Sequence, residues 1–275
     1  MMQEKARNNA IALSIGFFLI ALITLATIFR PSPKIKSPDS GSAARQSDLI
    51  GKLDAAPKIS NGELSKKIQR KEKMTLIDIR SEIEYAREHL LDSQNIPLAE
   101  INEALNILDK HATYVLIGAD GISEPVATVL DDLSDNGFEN MFYLEGGFSA
   151  WKDGYYPTIS EGDPNRFTDQ SKVNYIQTDA LKELAGSGKN LLIIDVRKSD
   201  RFNEGHLDGS INIFLDDLEK RRKDIPFGKQ IILCDDNGLG AFKAAVRLSD
   251  MGFYNVLTFS DGLDNWKKKG YPIVK

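Results

Sequence analysis

The sequence predicts an α/β protein: two domains of parallel sheet covered by helices, built by duplication and preceded by one membrane-spanning helix. Three observations carry that expectation. An uncharged apolar run lies near the N-terminus, short apolar runs alternate with helical patterns beyond residue 58, and a long internal repeat keeps a near-constant spacing.

The chain has 275 residues, room for two domains of ordinary size. Its apolar fraction of 41% lets each half build a core. A net charge of −5 and a pI near 5.4 argue against a nucleic-acid partner, which calls for a basic surface. With Cys234 alone there is no intramolecular disulfide and no cysteine-based metal site. The three histidines, His89, His111 and His206, are scattered, so neither a metal nor a cofactor is expected.

After a tail at 1–9, residues 10–29 (AIALSIGFFLIALITLATIF) carry no charge. Twenty helical residues reach about 30 Å, the thickness of a bilayer's hydrocarbon core. The rival reading is a cleaved signal peptide, whose apolar region is shorter, about 7–15 residues. The expectation is an uncleaved single-pass anchor, with the membrane as a partner through residues 10–29. Lys5 and Arg7 precede the run, while Arg30, Lys34, Lys36 and Arg45 follow it, which leaves the side of the domains open. Residues 30–57, rich in Pro, Ser, Gly and Lys, read as a flexible tether.

Self-similarity sets the remaining organisation. LIDIRSEIEYAREHLLDSQNI, from Leu76, matches IIDVRKSDRFNEGHLDGSINI, from Ile193. Asp78 pairs with Asp195, Arg80 with Arg197, Tyr85 with Phe202, His89 with His206, Ser93 with Ser210 and Asn95 with Asn212, all at an offset of 117. Further on the offset is 115, pairing Gly137-Phe138 with Gly252-Phe253, Gly147 with Gly262, Trp151 with Trp266 and Tyr156-Pro157 with Tyr271-Pro272. A period this long means a duplicated domain rather than a solenoid. The copies run over 58–160 and 174–275, joined by a polar connector at 161–173.

Within each copy, Thr75-Leu76-Ile77, Leu191 to Ile194, Tyr114 to Ile117 and Ile231 to Cys234 read as buried strands. Val126, Val129, Leu130 and Leu133 fall on one helix face, as do Ala241, Ala244, Ala245 and Leu248. This alternation implies parallel sheets under helices.

D-x-R after a strand, then [YF]-x3-H-L, then S-x-N-I, closing on LEGGFSAWKDGYYP or FSDGLDNWKKKGYP, resembles the rhodanese family in both copies. The resemblance implies two small doubly wound domains and, as the family's activity, sulfur transfer. In that family a cysteine at a strand end opens a C-x-x-G-x-R-S loop whose backbone N–H groups and following helix hold a persulfide anion.

Here Gly121 and Gly238 fit the loop glycine, which places Gly118 and Asp235 at the cysteine position. Neither can carry sulfur. Asp235, Asp120 and Asp236 bring negative charge to a place that should attract anions, and the loop arginine is missing from both copies. The candidate ligand-binding loops are Gly118, Gly121 and Ser123 in the first copy, and Asp235, Gly238 and Gly240 in the second. Cys234, one residue early, has two readings: a core cysteine pointing away from the loop, or an offset catalytic nucleophile. Asp78 with Arg80 and Asp195 with Arg197 read as turn-fixing pairs, Ser123 as a helix cap, and residues 219–224 (EKRRKD) as a solvated patch. The expectation is a membrane-tethered binding or regulatory module for a protein partner or a small sulfur-containing ligand. The alternative is a sulfurtransferase or sulfur carrier working through Cys234.

Overall fold

The structure is a computed structural model that describes residues 57–104, 107–120 and 123–275. The expected span at 10–29 and Gly121 of the first loop lie outside the described residues. Among the described residues no helix is long and apolar enough to cross a membrane.

The first copy is built from β1 (Lys58–Ile59), α1 (Asn61–Gln69), β2 (Thr75–Asp78), α2 (Glu82–Arg87), β3 (Glu88–His89), β4 (Ser93–Asn95), α3 (Ile101–Ala104), β5 (Tyr114–Ile117), α4 (Glu124–Asp135), β6 (Met141–Leu144), α5 (Gly147–Asp153) and β7 (Ile159–Ser160). A short helix α6 (Phe167–Gln170) follows in the connector. The second copy contains β8 (Tyr175–Ile176), α7 (Thr178–Gly186), β9 (Leu191–Asp195), α8 (Ser199–Glu204), β10 (Ile211–Asn212), β11 (Gln230–Cys234), α9 (Leu239–Asp250), β12 (Val256–Phe259) and α10 (Gly262–Lys268).

Beside a small third sheet in which β3 pairs antiparallel with β7, both five-stranded sheets are wholly parallel among the described residues. Their strand orders, β1-β6-β5-β2-β4 and β8-β12-β11-β9-β10, are the same order in the two copies. The duplication read from spacing is therefore a duplication of topology. Side chains alternate faces along a strand, so continuous apolar runs must be buried on both sides. Ile77, Tyr114, Leu116 and Met141 pack with α4 on one face of the first sheet. Leu76, Val115, Ile117 and Leu144 pack with Leu64 of α1 and with Phe148 and Trp151 of α5 on the other. The second sheet divides in the same way, Ile231 and Leu233 facing α9, while Ile232 and Cys234 face Leu181, Leu263 and Trp266.

The repeated polar residues hold turns. Arg80 Nε and Nη2 donate to the Asp78 carboxylate at 3.0 and 2.6 Å, and the Arg80 guanidinium lies 3.7 Å above the Phe148 ring. Arg197 repeats the pairing with Asp195. Arg80 Nη2 and Arg197 Nη2 each donate a further bond, to Glu88 O and Gly205 O, which helps keep a buried charge tolerable. The Trp151 and Trp266 indoles donate to Pro157 O and Pro272 O, which pins each copy's last turn.

Two expectations need correction. The connector is more than a polar link: Asp169 is buried there and accepts from Ser160 Oγ and Asp163 N, so the segment folds around a carboxylate that must find donors. Residues 219–224 are not a merely solvated patch, because Glu219 and Arg222 both bond to the first copy.

Candidate functional site

The two loops after β5 and β11 are structurally equivalent. Phe148 N and Ser149 N donate to Gly118 O and Ala119 O; Leu263 N and Asp264 N donate to Asp235 O and Asp236 O. Ile79 N donates to Ile117 O as Val196 N does to Cys234 O. Gly118 and Asp235 thus occupy one position at the mouth of each sheet, and Ile117 and Cys234 occupy the position before it.

In the second copy β11 delivers the chain into a tight turn at Gly238, whose φ of 93° lies in the left-handed region. A Cβ there would come within 2.2 Å of Ser260 O, so both the turn and the close approach require glycine. The turn aims backbone N–H groups back at the strand end. Asp235 fills that cradle with its own carboxylate: Oδ1 accepts from Gly238 N at 2.6 Å and Oδ2 from Gly240 N at 2.7 Å. The Ala241 N–H at the start of α9 also favours the charged carboxylate. Burial pushes the Asp235 carboxyl above its ordinary value, and these N–H groups offset only part of that rise. The place where a loop of this shape would receive an anion is taken by an anion of the chain itself.

Cys234 faces the opposite way. Its thiol is fully buried among Ile176, Leu181, Ile193, Phe259 and Trp266, with Sγ 3.6 Å from Ile194 O. Burial first, then the nearby Asp195, pushes this thiol well above the usual range, so little thiolate forms. Asp236 is not a bare repulsive charge. Arg197 Nη1 and Arg201 Nη2 reach it at 2.9 and 3.4 Å. Arg201 comes from α8, and no motif in the sequence had singled it out.

In the first copy Gly118 puts no side chain into the loop, and Asp120 accepts from Ser149 Oγ. Ser123 stands at the N-cap of α4 as expected, but its side chain makes no capping bond. His89 and His206 stack on Tyr85 and Phe202, and each Nδ1 meets the backbone carbonyl of that same residue. Neither lies at a loop mouth. Among the described residues no group of His, Cys, Asp and Glu is placed to hold a metal ion.

A family model described as Rhodanese-like domain matches residues 60–154 and 177–269. The Putative sulfur carrier protein YrkF of Bacillus subtilis is 25% identical over 111 residues, covering 40% of this chain and 60% of that protein. The Putative sulfurtransferase YtwF of the same species is 33% identical over 94 residues, covering 34% of this chain and 88% of that one. Among solved structures, a thiosulfate sulfurtransferase from Pseudomonas aeruginosa aligns over 79% of this chain and 43% of its own, at 18% identity and a TM-score of 0.41. With more than half of its length matched in two successive segments, the chain belongs to the rhodanese-like domain family, which it carries twice.

Proposed function

We propose that this chain is a membrane-tethered pair of rhodanese-like domains that does not transfer sulfur and serves as a binding or regulatory module. The observation that carries the reading is the Asp235 carboxylate seated on the Gly238 and Gly240 N–H groups. A persulfide or thiosulfate arriving there would have to displace an internal carboxylate and then find no thiol to bond. Gly118 leaves the first copy equally without a nucleophile. The full burial of Cys234 argues against its acting in place of the missing residues, since sulfur transfer needs an accessible thiolate. Residues 10–29 supply the anchor in this reading, and the binding target is a protein partner or a small sulfur-containing ligand rather than nucleic acid.

The test is turnover. The full chain in mild detergent is given thiosulfate and cyanide, and thiocyanate is measured beside Cys234→Ser. No thiocyanate above the blank is expected from either protein. Turnover that disappears in Cys234→Ser would overturn the reading and make Cys234 the nucleophile of a sulfurtransferase.

A further inference from the structure

The two copies differ at three positions that come together in space. In the first copy Asp92 has φ 65°, a left-handed conformation that glycine adopts freely and other residues pay for. At the offset of 117 the second copy has Gly209 there, with φ 72°. The same offset sets the second copy's Glu219 and Arg222 against Asn102 and Leu105 of the first. So the first copy puts a carboxylate where the backbone favours glycine, and the second has charges where the first has an amide and an apolar residue.

These differences meet across the junction. Arg222 holds Asp92 with two parallel bonds of 2.7 Å, Nη1 to Oδ1 and Nη2 to Oδ2. Arg222 Nη1 also donates to Glu219 O, which ties the turn to itself. Both Glu219 carboxylate oxygens lie 3.1–3.2 Å from His89 Nε2. His206, the counterpart of His89, keeps its stacking and its Nδ1 bond but meets no carboxylate among the described residues. His89 therefore combines a role shared by both copies with one found only in the first. Beside these contacts lies a cleft of about 700 Å³ walled by both copies, with Tyr85, His89 and Gln94 on one side and Asp216, Lys220 and Arg247 on the other.

We infer that Asp92 and His89 of the first copy and Glu219 and Arg222 of the second form a clasp, one ion pair and one His–carboxylate contact, that docks the copies and fixes this cleft. A lone exposed pair would contribute little, but a bidentate Arg–carboxylate contact joined to a part-buried His–carboxylate contact is a network. Because Asp92 is 61% exposed, salt weakens the clasp. The inference does not depend on whether the loops transfer sulfur.

The experiment is amide hydrogen exchange on the full chain, comparing wild type with D92G, R222E and the charge swap D92K/R222E. D92G places the second copy's own residue in a backbone that suits it, so it leaves the first fold intact. In D92G and R222E, amides of residues 85–95 and 219–224 are expected to exchange about fivefold faster or more, while the β5 and β11 amides keep their protection. The swap is expected to recover part of that protection, and added salt to mimic D92G in the wild type. Unchanged exchange in D92G and R222E, or a salt-independent wild type, would overturn the clasp.

Discussion

At the scale of single residues, the account turns on where two side chains of the second copy point. Cys234 and Asp235 are neighbours on alternate faces, one in the core and one in the cradle. A thiol reagent is therefore expected to leave the native chain unlabelled and to label one cysteine per chain once urea unfolds it. Asp235 gives a pH signature. Its carboxyl is raised by burial, so its stabilising contribution is fully present below the ordinary 3.8 and is lost as the pH rises through the raised folded value. Urea midpoints measured across that window are expected to fall with rising pH more steeply in wild type than in Asp235→Asn. Tyr85, pushed up to about 12 mainly by burial, is expected to titrate as a late phenol in ultraviolet difference spectra, and Tyr85→Phe to remove that step. The equivalence of Gly118 and Asp235 was legible from the repeat spacing. That the aspartate would turn inward and satisfy the loop was not, because a carboxylate read as a repulsive charge in sequence becomes an internal ligand once the turn at Gly238 aims N–H groups at it.

At the scale of elements, continuous apolar runs and helical periodicity identified the buried strands and the α4 and α9 faces, since parallel strands buried on both sides leave an unmistakable apolar run. The shorter pieces escaped. α6 has four residues and forms because Asp169 is buried and needs donors, a tertiary cause with no local pattern. Ser123 sits at a cap position without capping. The start of α9 supplies a sharper test. Gly238 and Gly188 both have positive φ, but a Cβ at Gly188 meets open space whereas one at Gly238 strikes Ser260 O. Gly188→Ala is expected to cost about 1 kcal/mol and Gly238→Ala clearly more, as measured by urea denaturation.

At the scale of the whole molecule, the repeat was visible in the sequence, but the docking of the copies was not. The partners His89 and Glu219 are 130 residues apart, and nothing local marks them as a pair. The asymmetries of Asp92 against Gly209, Glu219 against Asn102 and Arg222 against Leu105 were the available signal. A second tie joins the connector to α9, where Asp250 accepts from Ser160 N at 3.0 Å and pairs with Lys172 at 2.6 Å. Asp250→Ala is expected to cost about 2 kcal/mol, below the range for a fully buried pair because Lys172 is 27% exposed. Trp151 and Trp266 are the chain's two tryptophans, one in each copy, so single Trp→Phe variants report each copy's unfolding separately. The transitions of the two single-tryptophan variants are expected to coincide and to separate once Asp250→Ala is added to each. The most direct test of the central claim, that neither loop carries sulfur, is the intact mass of the full chain after incubation with a persulfide donor and removal of excess reagent. The unmodified mass is expected. A mass increased by one sulfur atom, absent in Cys234→Ser, would contradict it.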